Sequence, residues 1–168
     1  MTLRLLQADQ NPRETPMQRR LFLASSLLIP TLALLTRTRG ARAAEHEVQM
    51  LNKGPEGQRN WFEPAVLRVE PGDTVKFVST DKGHNSASVV IPEGAEAWNG
   101  KLSKETAITL TVPGLYSYKC TPHFGLGMVG LIVVGDPAVN LDAVAAGKYP
   151  GKAKTVLSDL LREVKASA

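Results

Sequence analysis

One cysteine constrains this chain more than any other residue. Cys120 is the sole cysteine among 168 residues, and it stands in Tyr118-Lys119-Cys120-Thr121-Pro122-His123-Phe124-Gly125-Leu126-Gly127-Met128. The pattern is Cys-x2-His-x4-Met, so a thiolate, an imidazole and a thioether fall within nine residues. A second histidine, His84, lies 36 positions upstream in Asp81-Lys82-Gly83-His84-Asn85. Two imidazoles and one thiolate in a trigonal set, with a weak axial thioether, are the donors of an electron-transfer copper site. Taken singly each residue is a weak signal, since a buried cysteine or methionine is often a plain core filler. Their combination is the strong one.

Part of the chain reads as an export leader rather than folded protein. Residues 1–43 carry Arg19-Arg20, then an uncharged apolar run from Leu21 to Leu35, then Ala41-Arg42-Ala43, a small-x-small cleavage pattern. The run has 15 residues and contains Pro30. It falls short of the ~20 residues that span a bilayer. A membrane anchor is the least favoured reading, and the mature chain is expected to start at Ala44 without a membrane span. The paired arginines before Leu21-Phe22-Leu23 fit a twin-arginine signal and also the basic flank of an ordinary secretory signal. Met17 is a second candidate start. An odd cysteine in an exported chain has no internal disulfide partner and points to a dimer, a reactive thiol or a ligand.

The leader also owns the positive charge. Residues 1–43 hold seven basic and two acidic residues; residues 44–168 hold thirteen and fourteen, a net of −1. The pI near 9.3 is therefore no sign of nucleic-acid binding. The 125 residues after the leader are the size of one domain with a real core.

Within that domain the pattern is mainly β. Ala65–Glu70, Thr74–Ser79 and Ala107–Val112 approach apolar/polar alternation, broken by Pro71-Gly72-Asp73 and Pro113-Gly114. Leu115–Cys120 and Val129–Val134 are two further strand candidates. Short strands with frequent turns argue for an antiparallel sandwich, here over about 44–136. The period then changes. Ala153, Val156, Leu157, Leu160, Leu161 and Val164 fall at helical spacing, and Leu141, Val144 and Ala145 mark a shorter helix before them. These form an expected helical appendage over about 138–166. His46 reads as a solvated strand residue and Met50 as core, neither with a partner at ligand spacing.

Several stretches carry a family resemblance, in order along the domain: Met50-Leu51-Asn52-Lys53-Gly54, Phe62-Glu63-Pro64-Ala65, Pro71-Gly72-Asp73-Thr74-Val75, Asp81 to Asn85, Ile91 to Ala97, and Lys119 to His123 through Gly127-Met128-Val129-Gly130. On these the chain resembles the pseudoazurins, small type 1 blue copper proteins. The resemblance implies a cupredoxin-like Greek-key β-sandwich with two C-terminal α-helices. It implies one copper ion per chain, held by His84, Cys120, His123 and Met128. It further implies a monomeric periplasmic electron carrier, not an enzyme, whose redox partners include copper-type nitrite reductase.

The residues around the ligands extend that expectation. Asn85 is placed to hydrogen-bond across to Thr121 and tie the two ligand loops together. Pro122 has no N–H to offer the Cys120 sulfur. Small or apolar neighbours (Pro122, Phe124, Gly125, Leu126, Gly127) make His123 the expected electron exit. Lys53, Lys82, Lys101, Lys104 and Lys119 form a candidate basic rim for acidic partners. Partners other than nitrite reductase, namely nitrous oxide reductase or a dehydrogenase, stay open. A cysteine–histidine hydrolase would leave Met128 and the second histidine without a purpose. A copper carrier would need a more sulfur-rich, exposed site. Zinc would bind the same cysteine and histidines but would be colourless and redox-silent.

Overall fold

The computed structural model describes residues 43–167, so the leader and its cleavage motif lie outside the described residues apart from Ala43. Eight strands form two sheets. The first has the order β2 (Arg59–Glu63), β1 (Glu45–Lys53), β4 (Asp73–Val78), β6 (Thr106–Leu110); the second has β3 (Val66–Val69), β8 (Val129–Val134), β7 (Gly114–Lys119), β5 (Ala87–Val90). Helices α1 (Leu141–Ala146) and α2 (Lys152–Ala166) follow.

The expectation of an antiparallel sandwich needs correcting. β1 runs parallel to β4, and β3 runs parallel to β8. The cause lies in the turns. Pro71-Gly72 joins β3 to β4 and Pro113 joins β6 to β7, and each of these joins carries the chain from one sheet to the other rather than closing a hairpin. Three strands also escaped the alternation pattern: β1 beyond His46, and β2 and β5 altogether.

The two sheets differ in how they are covered. β4 alternates buried and half-buried residues, as a strand with one solvated face should. Every residue of β8 is buried, as are five of the six in β7. One face of β7 and β8 meets the first sheet through Tyr116, Tyr118 and Ile132, packed with Val48, Phe62 and Phe77. Their other face meets the helices through Leu115, Leu131 and Val133. The helix residues opposite are Ala153, Leu157, Leu160, Leu161 and Val164, which fall on one stripe at the expected spacing.

Polar fasteners fix this appendage. The Asn140 side chain donates to Leu115 O at 2.9 Å and accepts from Leu115 N at 2.7 Å, acting as a strand partner where β5 does not reach. The Tyr149 hydroxyl meets Ser117 Oγ at 2.7 Å, and Arg68 donates to Val164 O at 3.1 Å near the end of α2.

The other end of the sheet is fastened by Asp73. Its carboxylate accepts from Ala44 N at 2.7 Å and Glu70 N at 3.0 Å, and pairs with His46 Nε2 at 2.9 Å. His46 is thus a bonded strand residue, not merely a solvated one. The Ala44 and Glu70 amides, with His46, hold the Asp73 pKa at about 2, below its ordinary 3.8. A folded pKa lower than the unfolded one stabilises the protein above pH ~4, and that contribution is lost as pH falls through about 2. Asp73→Asn should therefore lower stability at neutral pH and flatten its fall between about pH 4 and 2, as read by urea unfolding across that range. An unchanged acid limb would show that the carboxylate fastens nothing.

Candidate metal centre

The second sheet ends in a loop that closes on itself. β7 stops at Lys119, and the next residue, Cys120, donates its N–H to Met128 O at 3.0 Å. Inside that closure His123 N reaches Cys120 O at 3.2 Å, and His123 O accepts from both Leu126 N and Met128 N at 3.0 and 3.2 Å. A short 3-10 turn at Phe124–Leu126 leads to Gly127, whose φ of +100° suits glycine. A Cβ there would also press on Val156 of α2 at 3.1 Å. Cys120 and Met128 are wholly buried members of the core between the sheets.

His84 comes from elsewhere. It lies in the irregular segment between β4, which ends at Val78, and β5, which begins at Ala87. It is fully buried, and its Nε2 lies 3.0 Å from Asn52 Oδ1. An amide oxygen only accepts, so Nε2 carries the proton and Nδ1 keeps its lone pair. Burial, and after it the nearby His123, push the His84 pKa down and favour that neutral form. Asn52 is itself held by Asp81, whose carboxylate accepts from Asn52 N at 2.6 Å.

The free nitrogen faces the loop. His84 Nδ1 is 3.7 Å from Cys120 Sγ and 3.1 Å from His123 Nδ1, which is 3.4 Å from the same sulfur. A point equidistant from these three atoms lies about 2.0 Å from each. That is the length of a metal–nitrogen bond, about 2.0–2.1 Å, and slightly less than a metal–thiolate bond of about 2.3 Å. Among the described residues these three form the one cluster of histidine, cysteine or acidic groups spaced to hold a metal. A trigonal pair of imidazoles with a thiolate, and a buried thioether close along the chain, fits copper rather than a closed tetrahedral zinc site.

The expected join between the ligand loops is present. Asn85 Nδ2 donates to Thr121 Oγ1 at 3.1 Å, and Asn85 Oδ1 accepts from Thr121 N at 2.8 Å. Burial pushes the Cys120 thiol pKa up, while backbone N–H groups of Asn85 and His123 oppose the rise. Pro122 indeed offers no donor, but the Asn85 and His123 N–H groups do. A metal that takes the thiolate must therefore displace its proton.

Exposure sorts the four residues. His84, Cys120 and Met128 are 0% exposed, whereas His123 is half-buried. Around it Pro122, Gly125 and Leu126 are exposed; Gly127 is buried, and Phe124 packs edge-on against Tyr149. Leu102, which the sequence reading passed over, borders a hollow with Thr121 and Pro122. Lys53, Lys82, Lys101 and Lys104 are exposed; Lys119 is half-buried, its Nζ 4.8 Å from the Phe124 ring centre.

A two-sheet sandwich that presents a cysteine, two histidines and a methionine at one end defines the copper-binding cupredoxin class. Residues 48–135 match the family described as copper binding proteins of the plastocyanin/azurin family. A pseudoazurin of Paracoccus pantotrophus is 48% identical over 141 residues, 83% of this chain and 97% of that one. A solved pseudoazurin from Sinorhizobium superposes with a TM-score of 0.72 at 52% identity, covering 74% of this chain and 99% of that one. Native pseudoazurin from Hyphomicrobium denitrificans gives 0.68 at 46%, covering 71% and 97%. The chain belongs to the pseudoazurin family, whose members are copper electron-transfer proteins.

Asn52 is the functional neighbour that sequence reasoning missed. Its stretch was legible as a family match, but nothing local connects it to His84, 32 residues away. Asn52→Ala should leave His84 Nε2 buried and unpaired and weaken copper binding about 10–100-fold, measured by competition with a chelator. Wild-type affinity in the variant would contradict the orienting role.

Proposed function

We propose that this chain shuttles single electrons between periplasmic redox proteins, with His84, Cys120, His123 and Met128 as copper ligands, and that copper-type nitrite reductase is its electron acceptor. The single observation that carries the reading is the pairing of a copper-sized donor triangle, otherwise buried, with one half-buried member, His123, that reaches the surface. Copper supplies a one-electron couple there. Cys120 contributes a thiolate from a dry core, His84 a neutral imidazole already oriented by Asn52, and buried Met128 a thioether that tunes the site. His123 contributes the ring through which an electron crosses to a partner.

The surface around His123 supports this use. Leu102 and Leu126 are two of the three large apolar side chains that stand exposed among the described residues, and both lie on loops at the ligand end. With Pro122 they give a dry, small contact of the kind that suits transient redox encounters. Lys53, Lys82, Lys101 and Lys104 supply the positive rim. Because residues 44–168 carry a net charge of −1, steering has to come from that local cluster and not from the whole molecule. Export rests on the leader pattern in residues 1–43 and on the Ala41-Arg42-Ala43 motif. Among the described residues no helix is long and apolar enough to cross a membrane.

Two experiments check the reading. Copper-loaded protein should show an intense visible band that Cys120→Ser abolishes, because a hard oxygen replaces the covalent sulfur; a colourless copper-loaded wild type would contradict the ligand assignment. Reduced protein mixed with copper nitrite reductase should be reoxidised at a rate that falls as salt rises, since screening reaches ~8 Å at 0.15 M. Lys53→Glu and Lys82→Glu should each slow that step severalfold and flatten its salt dependence, whereas Lys165→Glu on α2 should not. Equal rates for all three variants would leave the basic rim without a role in docking.

A further inference from the structure

The segment that carries His84 is held by a strap running from Trp98 to Ser103. Gly100 N donates to Ser86 O at 2.8 Å, Asn85 Nδ2 donates to Gly100 O at 2.9 Å, and Trp98 Nε1 donates to Ser86 Oγ at 2.9 Å. The strap ends at Ser103, which grips the backbone on both sides of the histidine. Its hydroxyl accepts from Gly83 N at 2.8 Å, and its own N–H donates to His84 O at 2.8 Å. Ser103 does this from a φ of +57°, a left-handed conformation that disfavours every residue with a Cβ and that only one other non-glycine residue, Asn60, adopts among those described. A strained backbone persists where the surroundings over-determine it. Here the surroundings are the two bonds to the His84 turn.

We propose that Ser103 is a positioning residue for His84, fixing the main chain of that histidine so that Nδ1 faces Cys120 and His123 before any metal arrives. The proposal rests on His84 being a copper ligand. The two holds on His84 are complementary. Asn52 fixes the far nitrogen of the ring, and Ser103 fixes His84 O and the Gly83 N–H one residue before it. With both in place the only freedom left to the imidazole is small, and its lone pair stays at 3.1–3.7 Å from the other donors. Without the hydroxyl, Gly83 N–H turns to water, and the left-handed turn at Gly83, with φ +91°, loses its anchor.

The test compares Ser103→Ala and Ser103→Gly in the copper-loaded and metal-free protein. Both remove the hydroxyl and keep the N–H to His84 O; glycine also relieves the left-handed strain. Both should weaken copper binding about tenfold in chelator competition, alter the copper hyperfine coupling in electron paramagnetic resonance, and slow electron self-exchange. The metal-free Ser103→Gly protein should melt no lower than wild type, so that its loss of affinity is not a loss of fold. Should Ser103→Ala fold poorly, the glycine variant alone decides. A melting change with wild-type affinity and resonance spectrum in both variants overturns the proposal and leaves Ser103 a fold residue. A wild-type protein with no visible copper band would instead remove the ligand reading beneath it, and that result is read before any variant is made.

Discussion

Asn85 and Thr121 exchange two hydrogen bonds, and the metal centre depends on that exchange more than on any other contact. His84 and Cys120 are 36 residues apart and ride on different loops, which nothing in either loop's own sequence would bring together. The Asn85 amide donates to Thr121 Oγ1 and accepts from Thr121 N, and the same amide nitrogen reaches Gly100 O. One side chain that is 5% exposed therefore joins three segments. Such a buried amide is costly to strand, since leaving its groups unpaired costs about 1–3 kcal/mol each. The join is consequently all-or-nothing. Either both loops sit in register and the amide is satisfied, or the loops separate and several polar groups lose their partners together.

Behind that join stands the double burial of β7 and β8. These strands enter and leave the Cys120–Met128 loop, and because they are covered on both faces they have little freedom to slide or tilt. The C-terminal helices supply one of those covers. They also reach the loop directly, since the backbone at Gly151 approaches Gly125 O so closely that a Cβ would lie 2.5 Å from it. A helical hairpin added to a sandwich thus becomes part of the ligand scaffold. A site that exchanges electrons gains from such stiffness, because atoms that need not move between oxidation states impose little reorganisation on the transfer.

Much of this was legible in the sequence, and the limits of legibility have a physical origin. Cys120, His123 and Met128 stood out because a hairpin loop places near neighbours in sequence near in space. The α2 stripe from Ala153 to Val164 was equally local. β4 and β6 were recognisable because one solvated face forces alternation. β5 was not, because Ala87 to Val90 pairs with β7 through a register shift and presents no clean period. The parallel pairings were hidden because a proline–glycine turn looks alike whether it closes a hairpin or crosses between sheets. His84 was legible as a donor only beside the loop motif, and the support it takes from Asn52 and Ser103 was not legible. Their contacts to the His84 turn span 32 and about 20 residues, and a single sequence carries no trace of such pairings.

If the scaffold and not the metal sets the geometry, the donors must stand in the same places with and without copper. Crystal structures of the metal-free, cuprous and cupric forms of the protein test this most directly. The distances among His84 Nδ1, Cys120 Sγ and His123 Nδ1, here 3.1, 3.4 and 3.7 Å, should then agree across the three forms to within a few tenths of an ångström. A metal-free form in which either imidazole has rotated away, or in which the Asn85–Thr121 bonds have opened, would show that copper builds its own site and would contradict the account.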